Sequence, residues 1–277
     1  MSGLGRPQAV PVDVVALSDA LDRVSVERPA AIQVMTAIDD PNAAAPKVAA
    51  AVETDPAFAA QVMRLANSAF YGVSGRVANT GFAVTVIGFS AIRSLAAVSA
   101  AGLDHGDRPK PDGFWFHAAA AAAGCSTVAH RFGVPKGDAF AAGLLHDLGS
   151  ALLHGFDPAT HQRLIARHGS DGRELAAAEA ETFGIGHDAV TARVLAAWRF
   201  PEALVDAVAV HHSDEPGAAP FARTVWTGDI LARLVEQPDD AALRSLVSTI
   251  VAEEELDETI ETTGERAAEI MASLPIG

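Results

Sequence analysis

"AAGLLHDLGSALL", residues 141–153, decides how the chain is read. At about 100° per residue, a helix over residues 139–152 lines up Phe140, Leu144, Leu148 and Leu152, with Ala141 and Leu145 beside them. His146 falls nearly opposite that stripe. Its own face carries Ala139, Ala142, Gly143, Gly149 and Ser150, where a solvated face would show Lys, Glu or Gln. Small residues there predict close approach by other helices, so His146 and the adjacent Asp147 face a crowded interior. A charge in such a place is costly unless it is paired or bound to a metal.

Outward from this stretch the pattern stays helical. Periodicity predicts helices at about 114–131, 138–154, 172–182, 187–198, 201–213 and 220–235, followed by an acidic end in which Leu256, Ile260 and Ile270 supply packing contacts. Strand-like alternation is nearly absent, which makes the fold class all-α. In the first hundred residues, "TDPAFAAQVMRLANSAFYG" opens with Asp55 as N-cap and Pro56 at the first helical position. Phe58, Val62, Leu65 and Ala69 then make one apolar face, which Gly72 can end. "FAVTVIGFSAIRSLAAVSAAGL" follows, with a break expected at Gly88.

The main interruption is "LDHGDRPKPDGF", residues 103–114, where Pro, Gly and charge cluster. The expected division is a tail at 1–13, a helical lobe at 14–103, a linker at 104–113 and a second helical lobe at 114–277.

The 277 residues are 49% hydrophobic and 20% charged, the balance of a globular chain. A formal charge of −15 repels phosphate backbones and anionic membranes, so neither nucleic acid nor membrane is an expected partner. The single cysteine, Cys125, excludes an internal disulfide and a cysteine-based zinc site, and reads as a small buried residue. The opening residues do not form a secretory signal and no uncharged apolar run is long enough for a bilayer, so a soluble cytoplasmic protein is expected.

Further polar groups sit among apolar or small neighbours. His117 precedes an alanine run; His187 shares a helical face with Val190, Val194 and Trp198; His211 and His212 continue the stripe of Leu204 and Val208; Asp229 lies in "TVWTGDILARL". Imidazole and carboxylate donors together suit Fe, Mn, Zn or Mg. Taken one at a time, each has a plainer reading: His187 as a core histidine on a carbonyl, Asp229 paired with Arg233 one turn on, His211 and His212 as a helix end. His105, His130, His154, His161 and His168 read as surface groups.

The order His117, His146-Asp147, His187, His211-His212, Asp229 resembles the HD superfamily of metal-dependent phosphohydrolases, and the chain as a whole is similar to its HDOD branch, the HD-related output domain. The residues carrying the likeness are "DPAFAAQVMRLANSAFYG", "VIGFSAIRSLA", "FWFH", "AGLLHDLG", "GHDAVTARVLAAWRFPEALVDAVAVHH" and "TGDILARL", from about residue 14 to the end.

That resemblance implies an N-terminal helical bundle packed on an HD-like helical domain, together one HDOD module. It also implies a bacterial signal-transduction role that is largely non-enzymatic. By position, His117, His146, Asp147, His187, His211, His212 and Asp229 match the divalent-metal ligands of the related HD-GYP proteins, with Asp147 as the bridge. Those relatives hydrolyse cyclic-di-GMP, but two departures argue against that activity here. Ser150 stands where they carry a lysine, and "HHSDEPGAAP" replaces their Gly-Tyr-Pro segment, with Asp214 and Glu215 adding negative charge.

The expectation is therefore a metal-binding regulatory module without turnover that acts through a protein partner. The alternatives are a metal-dependent phosphohydrolase of nucleotides, cyclic dinucleotides or other phosphoesters, and a metal-free site whose histidines bond to one another and to carbonyls.

Overall fold

Proline and side-chain caps start several of the helices where the sequence places them. The computed structural model describes residues 28–104, 108–169, 172–213 and 217–274, so the tail at 1–13 and the first part of the expected N-terminal lobe lie outside the described residues. The N-terminal helices are α1 (Pro29–Asp39), α2 (Ala45–Val52), α3 (Pro56–Ala66), α4 (Thr80–Ile87) and α5 (Phe89–Ala100). Asp55 caps α3 by accepting from the amides of Ala57 and Phe58 at 2.8 and 3.2 Å. The break at Gly88 is present: its φ of 84° turns α4 into α5 through 105°.

Gly72 ends a short 3-10 turn, Ala69–Tyr71, whereas α3 itself stops at Ala66. The reason is Asn67, whose side chain donates to the carbonyl of Val77 and accepts from the Val77 amide, at 2.9 and 3.1 Å. That pair of bonds pins the following loop and ends the helix.

The remaining helices are α6 (Phe114–Phe132), α7 (Lys136–Leu145), α8 (Leu148–Phe156), α9 (Pro158–His168), α10 (Arg173–Phe183), α11 (His187–Ala197), α12 (Glu202–Ala209), α13 (Pro220–Glu236), α14 (Ala241–Val247) and α15 (Glu253–Ser273). No strand occurs among the described residues. α6 is the axis: residues 118–126 are all buried, and α7, α13 and α15 pack around it. Side chains this small let backbones come close. At the crossing of α6 and α13, a Cβ on Gly124 would stand 2.8 Å from the carbonyl oxygen of Gly228, and one on Gly228 would overlap the Cys125 thiol.

The apolar core is continuous across the 104–113 segment, running from Ala31 and Val34 through Leu103 and Phe114 to Leu274. α15 packs on α6 and also reaches α3 and the Ala69–Tyr71 turn, so the C-terminal helix contacts the N-terminal helices as well as its own neighbours. Among the described residues, no single helix is long and apolar enough to cross a membrane.

Two expectations are corrected. The helix over residues 138–154 is two helices, broken at His146 and Asp147. On one unbroken helix these neighbours would point about 100° apart; the break turns both side chains into the same interior space. The helix expected to reach residue 213 ends at Ala209, which leaves His211 and His212 on a turn. α9 and α14 lie in stretches with no helix assigned from periodicity. The caps that announce them are Asp157, which accepts from the Thr160 amide at 3.0 Å, and Asp240, which accepts from Ala242 and Leu243.

Candidate metal centre

All seven predicted side chains converge. His117 comes from α6, Asp229 from α13, His146 and Asp147 from the α7–α8 break, His187 from the first turn of α11, and His211 and His212 from the turn after α12. His146, Asp147, His187, His211 and Asp229 are each at most 5% exposed, while His117 and His212 are half-buried.

Asp147 divides the group in two. Its Oδ2 faces Nε2 of His117 and His146, each at 3.7 Å, whereas Oδ1 faces Nε2 of His211 and His187 at 3.2 and 3.4 Å. Asp229 joins the first set, with Oδ1 at 3.2 Å from His117 Nε2 and 3.6 Å from His146 Nε2. His212 joins the second, with Nε2 at 2.7 Å from His187 Nε2. His117 and His146 bring their Nε2 atoms to 3.1 Å.

The tautomers follow from the outer contacts. His146 Nδ1 donates to the Gly143 carbonyl at 2.7 Å and His211 Nδ1 to the Val208 carbonyl at 2.6 Å, while His187 Nδ1 meets Glu179 Oε2 at 2.6 Å. With the proton on Nδ1, each Nε2 presents a lone pair, and three such lone pairs point at one carboxylate. Acceptors facing acceptors in a buried site are satisfied by a proton or a metal ion between them. Asp229 Oδ1 makes the same point, because it is buried without a hydrogen-bond partner.

Atoms bound to one ion at about 2.1 Å stand roughly 3 Å apart. The spacings here fit that, and the nitrogen and oxygen donor set fits Fe, Mn, Zn or Mg. Two overlapping groups could each hold an ion: His117, His146 and Asp147; and Asp147, His187, His211 and His212.

Without an ion, the carboxylates and imidazoles answer one another's charge. Burial alone would raise the carboxyls of Asp147 and Asp229, but the imidazoles around them hold both well below the ordinary carboxylate value. For His146, burial opposes protonation and the neighbouring Asp147 outweighs it, raising its pKa. Burial and then His211 push His212 well down, keeping that imidazole neutral.

Two groups escaped the sequence reading. Glu179 on α10 is fully buried; its Oε2 accepts from both the amide and Nδ1 of His187, at 2.8 and 2.6 Å. Its Oε1 meets His161 Nε2 at 2.7 Å, and His161 Nδ1 lies 3.3 Å from His154 Nδ1. His154 and His161, read as surface groups, are buried at 6% and 0% exposure, which corrects that expectation. Imidazole satisfied by a buried carboxylate can enter a core, and Glu179 supplies the partner. His130 is exposed as read and His168 half-buried, whereas His105, Asp214 and Glu215 lie outside the described residues. Asp229 turns to His117 and His146, and Cys125 is fully buried with its thiol pKa pushed up by burial.

The mouth is a cavity of about 270 Å³ whose wall includes His117, Asp147, Ser150 and His168, with Arg233, Asp112 and Glu236.

Comparison with known proteins agrees with the all-helical fold. The HDOD domain family matches residues 28–214. A solved structure of a candidate phosphohydrolase from Shewanella amazonensis SB2B superposes with a TM-score of 0.69 at 25% identity, covering 92% of this chain and 98% of that one. A candidate signal transduction protein from Marinobacter aquaeolei VT8 shares the fold at a TM-score of 0.64 and 23% identity, over 96% of this chain and 66% of its own. An uncharacterized protein of Treponema pallidum (strain Nichols) is 23% identical over 259 residues, 89% of this chain, and the chain spans about half the length of that relative.

Proposed function

The chain belongs to the HDOD domain family, and from that premise we propose that it is a metal-loaded regulatory module whose output is contact with a protein partner. The observation that carries the metal reading is the placement of Asp147, with one carboxylate oxygen toward His117 and His146 and the other toward His187 and His211. With metal bound, Asp147 would serve both groups of donors, and the ions would supply Lewis-acid chemistry there. The regulatory half of the reading rests on the family. It is also supported by the mouth, where Ser150 stands in place of a phosphate-facing lysine and Asp112 and Glu236 add negative charge.

The test is elemental analysis of the purified chain beside a phosphoester panel. The expected result is stoichiometric metal, lost in Asp147→Ala, with no turnover; metal well below one ion per chain overturns the reading. Affinity capture with the wild-type chain and Asp147→Ala then shows whether a partner distinguishes the loaded state.

A second reading, metal-dependent phosphoester hydrolysis, is favoured by the cavity that opens directly onto His117 and Asp147 with Arg233 on its wall. The Shewanella relative's name points the same way. Divalent ions at such a site supply Lewis-acid polarisation of a phosphoryl oxygen. The protein's own part would be to hold the donors with Glu179, Gly143 and Val208 and to offer Arg233 to phosphate. Metal-stimulated hydrolysis abolished by Asp147→Ala would select this reading.

A further inference from the structure

Where α15 crosses α6, away from the histidine cluster, lies a second cavity of about 550 Å³. Its wall carries two cations, Lys136 at the start of α7 and Arg266 from α15, with the hydroxyl residues Ser126, Thr127, Thr259 and Thr262. The chain has 35 acidic residues against 20 basic ones. These two form no ion pair among the described residues, although Glu258 is on the same wall.

Neutral groups steer both cations instead. Lys136 Nζ donates to the Phe70 carbonyl at 3.3 Å and lies 4.2 Å from the centre of the Phe70 ring. Arg266 Nη1 donates to Thr127 Oγ1 at 2.7 Å, and that hydroxyl gives its own proton to the Ala123 carbonyl at 2.8 Å. Ser126, 6% exposed, has its hydroxyl oxygen buried with no hydrogen-bond partner. The Lys136 ammonium is disfavoured first by burial and then by the charge of Arg266. Two cations on one polar wall, with Glu258 as the one carboxylate beside them, leave net positive charge at this cavity for an anion to meet.

We propose that this cavity binds a phosphate-bearing small molecule through Lys136 and Arg266, as a regulatory site separate from the metal centre. A guanidinium fork beside an ammonium point charge matches a multiply charged phosphoryl group better than a single carboxylate. The volume exceeds what phosphate alone would fill and falls in the range of small-molecule sites, roughly 300–1,000 Å³. Ala129, Val134 and His130 line the rest, beside Glu258. Because Lys136 leans on Phe70 of the Ala69–Tyr71 turn and Arg266 belongs to α15, a ligand here draws together the C-terminal helix and the N-terminal helices. This inference does not depend on whether the histidine cluster holds metal.

The test is calorimetric titration of the full chain, stripped of metal and dialysed free of chelator, with inorganic pyrophosphate and with adenosine 5′-monophosphate. Metal removal keeps either probe from reporting on the histidine cluster. At least one probe is expected to saturate one site, more weakly as salt is raised. Affinity should fall roughly ten- to a hundredfold in Lys136→Met and in Arg266→Gln, remain in Lys136→Arg, and stay unchanged in Asp147→Asn. Thermal melts establish that each variant is folded. A pyrophosphate-only response identifies the phosphoryl group as the whole determinant, while stronger binding of the monophosphate nucleotide shows that the apolar wall contributes. The proposal is overturned if neither probe saturates, if binding survives Lys136→Met/Arg266→Gln, or if Asp147→Asn removes it.

Discussion

Glu179 and His187 are joined twice through one oxygen: Oε2 accepts from the His187 amide at 2.8 Å and from its Nδ1 at 2.6 Å. The carboxylate thus fixes both the backbone and the tautomer of a residue that faces Asp147. Burial would raise the Glu179 carboxyl, but hydrogen bonds from His161 and His187 hold its pKa below the ordinary value, so it stays ionised. Glu179→Gln keeps the volume and loses the charge. Its metal affinity is expected to fall by roughly 10- to 100-fold, read by competition with a chromophoric chelator, while Glu179→Asp restores part of it. Glu179→Ala leaves buried donors on His161 and His187 unanswered and should cost about 3–5 kcal/mol in urea unfolding of the metal-free chain. Unchanged metal affinity in Glu179→Gln would show that the carboxylate only packs.

Asp147 and Asp229 occupy different positions in the cluster, and their loss should read differently. Asp147 faces both histidine sets, whereas Asp229 faces only His117 and His146. Asp147→Asn is expected to lower bound metal at both positions. Asp229→Asn should spare the set formed by His187, His211, His212 and Asp147. Elemental analysis of the two variants checks this; equal losses would mean that the two groups act as a single site.

Much of this arrangement was legible because polar residues stood among residues too small to shield them. His146 lies on a face of Ala139, Ala142, Gly143 and Gly149, and that face is where other helices approach. The break beside it was hidden, since Phe140, Leu144, Leu148 and Leu152 keep helical spacing across an interruption of two residues. Glu179 was hidden by its neighbours Glu174 and Glu181, which make "RELAAAEAETF" look like a solvated helix. The signal was Leu175 four residues before it and Phe183 four after, both buried, which place Glu179 on the apolar face. His161 becomes legible only with α9, which its Asp157 cap and Pro158 start announce and its apolar spacing does not.

Gly149 sets how closely α8 approaches α11. Its amide donates to Thr191 Oγ1 at 2.8 Å, Thr191 donates to the His187 carbonyl at 2.8 Å, and a Cβ on Gly149 would overlap that same carbonyl. Gly149→Ala should therefore destabilise by about 1–3 kcal/mol through overpacking and weaken metal binding by displacing His187. Gly155→Ala, on the same helix, would bring its Cβ no nearer than 3.8 Å to the Pro109 carbonyl. It is expected to be neutral or stabilising, since alanine favours a helix over glycine by up to about 1 kcal/mol. Parallel melts and chelator titrations of the two variants separate close packing from helix propensity.

Arg93 ties the N-terminal helices to the segment that follows α11. Its Nη1 meets Asp39 Oδ1 at 2.5 Å, and Nη2 donates to the carbonyls of Trp198 and Arg199 at 2.7 and 2.9 Å, with the guanidinium 4.8 Å from the Phe200 ring centre. Arg199 is held at a φ of 57°, a left-handed conformation that costs a side-chain-bearing residue about 1–2 kcal/mol, and the bond to its carbonyl helps to fix it. Arg93→Met keeps much of the apolar stem but removes every one of these donors, so unfolding free energy should drop by about 2–4 kcal/mol. Arg93→Lys should recover only part, because an ammonium lacks the planar fork that spans a carboxylate and two carbonyls. Metal stoichiometry should be unchanged in both variants, since Arg93 contacts none of the seven clustered side chains. A loss of metal without a loss of stability would instead place Arg93 in communication with the centre through α11, the helix that begins with His187 and ends one residue before Trp198.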